Sequence, residues 1–242
     1  MREGIMSTGV LFGQATAQEE VRPKKRSVGE AEGWNPESFA REQIRGLVRQ
    51  VFFSNVERPV RQVVFSALGP EMDVKSICWA VGEALALETP GSVGLVGEWS
   101  QVMQEPETYP AEMNGHPSGN PTAAGSTPLQ QAGARVRGNL WLVPAGKDGD
   151  QGNTAKLHSY LGQVRREFEY SIVEGPPAGE SNEATAMAQF ADGIILVLSA
   201  HRTRRIAARR VKEMLEAAQG RILGTVLSDR MFPVPEGIYR RL

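Results

Sequence analysis

Three residues in one short stretch carry the types and spacing that could grip phosphate: Gly69, Lys75 and Ser76 in SALGPEMDVKSI. A phosphate-binding loop works by aiming backbone N–H groups and a helix N-terminus at an anion. Its lysine reaches the terminal phosphates, and the following Ser or Thr hydroxyl holds magnesium. Glycine should stand immediately before the lysine, because the backbone must approach the phosphates closely. Here that position is Val74, a β-branched residue, and Glu71 and Asp73 add negative charge where a polyphosphate would sit. Two nearby acids oppose a triphosphate by a few kcal/mol in a partly desolvated site. The same stretch also reads as a strand-to-helix turn in which Asp73 is the N-cap.

The elements that must position this loop are legible as apolar runs. A helix is predicted over about Pro36–Ser54, with Ile44, Leu47, Val48 and Val51 on one stripe. VRQVVFSAL is a strand leading into the loop, and a helix runs from about Val74 to Leu87. SVGLVGEW is a second strand. NLWLVPAG, TAKLHSYLGQVRREF, YSIVEGPP, NEATAMAQFA, DGIILVLSA, a helix from about Thr203 to Ala218 and RILGTVLSD then alternate strand and helix. Strands such as GIILVLSA are apolar throughout, as strands covered on both faces require. The fold class is therefore α/β: a mainly parallel sheet with helices on both faces, in one domain. Ligands on such sheets bind at the carboxyl ends of strands, where SALGPEMDVKS lies.

Residues 1–35 lack periodicity and are expected to form a disordered arm, leaving 36–242 as the domain. The Pro-, Gly-, Ser- and Thr-rich stretch at about 102–137 is expected to be a flexible insertion within it. With 40% apolar and 23% charged residues and a net charge of -1, the chain gives no bulk reason to expect nucleic acid or an anionic membrane. One cysteine, Cys78, excludes an internal disulfide and reads as a small buried hydrophobe. No run approaches the roughly 20 apolar residues of a membrane span, and the first residues do not make a signal peptide. A cytoplasmic protein is expected, with no direct membrane insertion.

Five collinear blocks resemble the bacterial tyrosine kinase (BY-kinase) domain of exopolysaccharide and capsule biosynthesis, within the MinD/ParA-like P-loop NTPases. They are EQIRGLVRQVFFSNVERPVRQVVFSALGP, the loop, NLWLVPAG, EFEYSIVEGPPAGESNEATAMAQFADGIILVLSAHRTRR and ILGTVLSDRMFPVPEGIYRRL. The family has an E-x-x-R-x-x-R oligomerisation helix; Glu42 and Arg45 match its first two positions, and Val48 replaces its last arginine. The resemblance implies ATP and Mg2+ as cofactors, with Gly69, Lys75 and Ser76 on phosphate and metal. Glu174 then stands where the family has a Walker B aspartate, and Asp229 lies near the base. The family's second strand ends in Asp-x-Asp; here those positions are Gly97 and Trp99, with Glu98 between them. A C-terminal tyrosine cluster is reduced to Tyr239.

Such departures imply a catalytically impaired member, a regulator that binds a membrane polysaccharide co-polymerase (chain-length regulator) or a paralogous active kinase. It would sit in the cytoplasm, peripheral to the inner membrane through that partner, with a homo-oligomer allowed. The alternative is an active ATP-dependent tyrosine autokinase with divergent motifs. A MinD/ParA-like positioning protein is a third reading, lacking the second lysine near the loop start. Trp99 reads as packing, or as a plug in the site. The stripe Arg202, Arg205, Arg209, Lys212 could dock an acidic tail or a phosphate backbone, although a solvated helix face is the plainer reading. His116, His158 and His201 lack metal-ligand spacing.

Overall fold

The computed structural model describes residues 36–54, 57–99, 127–146 and 153–228. Seven strands form one sheet in the order β3-β4-β2-β5-β1-β6-β7. In chain order the elements are α1 (Pro36–Val48), a π-helical turn (Arg49–Phe53), β1 (Gln62–Ala67), α2 (Val74–Glu88), β2 (Val93–Gly97) and α3 (Pro128–Ala132). They continue with β3 (Ala134–Arg137), β4 (Leu140–Pro144), α4 (Thr154–Glu167), β5 (Tyr170–Glu174), α5 (Asn182–Phe190), β6 (Gly193–Ser199), α6 (Arg205–Ala217) and β7 (Ile222–Ser228). All neighbouring pairs are parallel except β3 with β4.

The unbroken apolar runs sort by the period of two into separate cores. Val63, Phe65, Leu95, Ile172, Ile195 and Val197 face α1 and α2. Val64, Val96, Val143, Val173, Ile194 and Leu196 face α4, α5 and α6. Every residue of β1 and of β2 is buried, which is why neither strand alternates in sequence. Cys78 is fully buried within the first core. Burial, with the Glu174 and Asp73 charges nearby, holds its thiol well above the usual range, which favours the neutral thiol of a packing residue.

Residues 127–137, read as the end of a flexible insertion, form α3 and β3, and β3 with β4 makes an antiparallel edge. Their connection is Gly138-Asn139, with Gly138 at φ +51°, where a side chain would be strained. Gly-Asn between two short apolar runs is a hairpin signal that the Pro/Gly richness upstream obscured. The N-terminal arm and residues 102–126 lie outside the described residues.

Asp192 fastens the entry of β1. Its carboxylate accepts the backbone N–H groups of Arg61 (2.7 Å) and Gln62 (2.9 Å) and pairs with Arg165 of α4 at 2.8 Å. Asp192→Ala is expected to lower the unfolding free energy by about 2 kcal/mol, since two backbone donors lose a charged acceptor. Urea denaturation measures it, and an unchanged midpoint would remove Asp192 from the account of how β1 is held.

Candidate functional site

The strand–loop–helix from β1 to α2 places Gly69, Lys75 and Ser76 at the carboxyl edge of the sheet, beside the ends of β2 and β5. Register explains the meeting: Phe65 pairs with Glu174 across β1 and β5, and Val96 pairs with Val173 across β2 and β5. Glu174 and Gly97 therefore finish adjacent strands next to the loop.

Four of the loop's donors, the Val74 and Ser76 amides, the Ser76 hydroxyl and the Lys75 ammonium, already have partners inside the protein. Asp73 is the N-cap of α2: its carboxylate accepts the Ser76 N–H at 3.0 Å and also the Ser76 hydroxyl. The Val74 N–H donates to the Met72 carbonyl at 3.0 Å. Lys75 turns its ammonium to the Glu98 carbonyl at 2.6 Å, and the same ammonium lies 5.6 Å from the centre of the Trp99 ring. Trp99, 1% exposed, packs against Trp79 with ring centres 6.0 Å apart and planes tilted by 58°. Its indole is thus a wall behind the loop, not a platform open to solvent.

Glu174 is the most perturbed acid of the site. Burial pushes its carboxyl above the ordinary value of 4.5; Lys75 and the Glu98 backbone N–H pull it down, and Asp73 and Glu98 add to the rise. Its Oε2 is buried without a hydrogen-bond partner, as is the Trp99 Nε1. Both orphan atoms border Gly97: a β-carbon there would lie 2.5 Å from Glu174 Oε2 and 3.2 Å from Trp99 Nε1. The Glu98 side chain is exposed. Because the raised pKa makes the folded state hold this proton more tightly, Glu174 contributes most stability below the unfolded pKa and loses it as pH rises through the folded one. Glu174→Gln should therefore gain stability relative to wild type as pH rises from about 4.5 through the raised folded-state pKa, then hold level. Parallel pH profiles of urea midpoints would assign the effect elsewhere.

Beside the loop, on the α4–α5 side of the sheet, opens a cleft of about 640 Å³. Leu157, Leu161, Tyr160 and Met187 supply its apolar walls, and Glu174 and Glu183 its acids. The Tyr160 hydroxyl donates to the Pro144 carbonyl, and burial pushes its pKa up, so it stays a neutral donor. None of these α4 and α5 residues has a motif of its own. They reach the loop only through the strand order, in which β4 and β5 flank β2.

Of the other residues named from the sequence, Glu42 and Arg45 sit on the exposed face of α1, on the α2 side of the sheet. Asp229 and Tyr239 lie outside the described residues. No cluster of three His, Cys, Asp or Glu residues able to hold a metal occurs among the described residues. No helix among them is long and apolar enough to cross a membrane.

A mainly parallel sheet in this strand order, with a lysine-bearing loop between β1 and α2, has the fold of P-loop NTPases in the MinD/ParA-type arrangement. Solved structures agree: the chain matches MinD of Aquifex aeolicus at a TM-score of 0.50, 17% identical, covering 75% of this chain and 73% of that one. The kinase domain of the Escherichia coli tyrosine kinase ETK matches at 0.63, 14% identical, covering 88% and 85%. In sequence, the tyrosine-protein kinase CpsD of Streptococcus agalactiae serotype III (strain NEM316) is 30% identical over 93 residues. That alignment takes in 37% of this chain and 40% of the length of CpsD. No family model matches the chain. The resemblance to bacterial tyrosine kinases read from the motifs is borne out by these relatives.

Proposed function

We propose that this protein is a catalytically impaired relative of the bacterial tyrosine kinases that regulates exopolysaccharide or capsule assembly by binding. Its partner would be a membrane chain-length regulator or an active paralogous kinase, held at the cytoplasmic face of the inner membrane. Glu42 and Arg45, exposed on α1, are available for contact with a like domain or that partner.

One observation carries the reading: the anion cradle is filled from within. The Asp73 carboxylate takes the amide and hydroxyl of Ser76 that phosphate and magnesium would need, and Lys75 is committed to Glu98 and Trp99. The residues present do not fit MgATP. Magnesium requires a nearly octahedral oxygen shell, while Gly97 and Trp99 offer no carboxylate and Glu174 is one methylene longer than the aspartate of the pattern. Phosphoryl transfer rests on positioned charge and metal, and one such element is commonly worth roughly 10²- to 10³-fold. A protein can lose that chemistry and keep the surfaces by which its fold docks.

Calorimetry with MgATP and a radiolabel autophosphorylation assay test the proposal. Wild type should give neither binding heat nor phosphotyrosine, and Lys75→Ala should be indistinguishable from it. It should still bind the cytoplasmic tail of the chain-length regulator or the paralogous kinase. Tyrosine autophosphorylation abolished by Lys75→Ala would replace this reading with that of an active autokinase, with Lys75, Ser76 and Glu174 serving phosphate and metal. A dimer that forms only with MgATP would point to a MinD/ParA-like positioning protein.

A further inference from the structure

Helix α6 and the turn before it break several rules of helix stability at once. From His201 to Lys212 the sequence HRTRRIAARRVK has no acid. Arg204 occupies the N-cap and offers no side-chain cap, and the first turn carries no acidic residue. Cations at a helix N-terminus oppose the macrodipole, and Arg205 with Arg209 sets like charges one turn apart. Arg202, Arg204, Arg205, Arg209, Arg210 and Lys212 are all exposed. Lys212 has Glu216 at 3.4 Å, whereas the five arginines have no ion pair among the described residues. Val211 and Leu215 anchor the opposite side of the helix in the core, which fixes the basic side outward. Within that basic surface Ile206 stands 84% exposed.

Local rules broken together mark a surface whose stabilising partner lies outside the chain. We propose that the α6 face docks on an anionic lipid bilayer. The chemistry of this face favours a bilayer over other anions. An exposed isoleucine among cations gains by entering the headgroup–acyl boundary and gains nothing on a phosphate backbone, and no aromatic side chain stands between His201 and Lys212 to stack on bases. The near-neutral net charge conceals this patch, because it averages six clustered cations with acids placed elsewhere. The contact is peripheral, consistent with the lack of a membrane-spanning helix among the described residues. It does not depend on whether the loop binds nucleotide.

Flotation of the full chain with vesicles tests the proposal, using phosphatidylcholine alone and phosphatidylcholine mixed with phosphatidylglycerol. Binding is expected only to the anionic vesicles and should fall steeply with salt. Each basic side chain removed should weaken it by about fivefold, so Arg205→Gln with Arg209→Gln should lose roughly 25-fold. Ile206→Ala should weaken binding while leaving the salt dependence in place. All these positions are exposed, so unchanged thermal melts confirm that folding is intact. Three results would overturn the proposal. They are equal binding to neutral vesicles or none to either, anionic binding that the α6 variants leave unchanged (assigning it to the basic run RPKKR, residues 22–26 of the N-terminal arm), and competition by DNA or polyglutamate with no vesicle binding of its own.

Discussion

Trp99→Ala is expected to lower the free energy of unfolding by about 3–5 kcal/mol, the usual range for deleting a buried tryptophan. Against the ~5–15 kcal/mol of an ordinary domain, that is about a fifth of the total or more. The ring is 1% exposed, leans on Trp79, and carries the Lys75 ammonium over its face. Its loss opens a hole behind the loop and removes the aromatic partner of the lysine together. Thermal and urea melts read the loss, and loss of near-UV dichroism should accompany it. Trp99→Phe separates packing from polarity. Since the Trp99 Nε1 has no hydrogen-bond partner, phenylalanine should restore most of the stability. A Phe variant as weak as the Ala variant would show that the indole N–H serves something, and an Ala variant as stable as wild type would end the claim that Trp99 is a packed wall behind the loop.

What the chain spelled out in advance was periodicity and order. Fully apolar strands announced a sheet covered on both sides, and the element succession was legible down to the start of α2, because Asp73 is an ordinary N-cap. What it withheld depends on strand order. The Leu157–Tyr160–Met187 wall has no local signature, and Asp192 was visible only as part of a family block, although its work is to hold the backbone of β1. The β3–β4 edge was missed because a composition rule outweighed a two-residue turn signal. The loop's two readings, phosphate cradle and capped turn, converge in the structure on the same atoms, since the cap acceptor takes the cradle's donors.

The sequence also presented Gly97 and Glu174 as two independent departures from the kinase pattern, and packing makes them one. Glu174 is a methylene longer than the aspartate of the pattern, and its buried oxygen comes so close to Gly97 that a β-carbon there would stand 2.5 Å away. Gly97 is itself buried in β2 between β4 and β5, so the strand cannot move aside. Restoring the pattern's carboxylate with Gly97→Asp is accordingly expected to cost about 3–5 kcal/mol, from overpacking and from a second buried acid beside one whose pKa is already raised. Gly97→Ala isolates the steric part, about 1–3 kcal/mol. Glu174→Ala should relieve that part, so the double variant should be more stable than the sum of the single changes predicts by about 1 kcal/mol or more. The four urea melts of this cycle decide the matter. Additive costs would mean that Gly97 and Glu174 do not compete for one space, and a Gly97→Asp protein as stable as wild type would mean that this strand end still has room for the carboxylate the pattern places there.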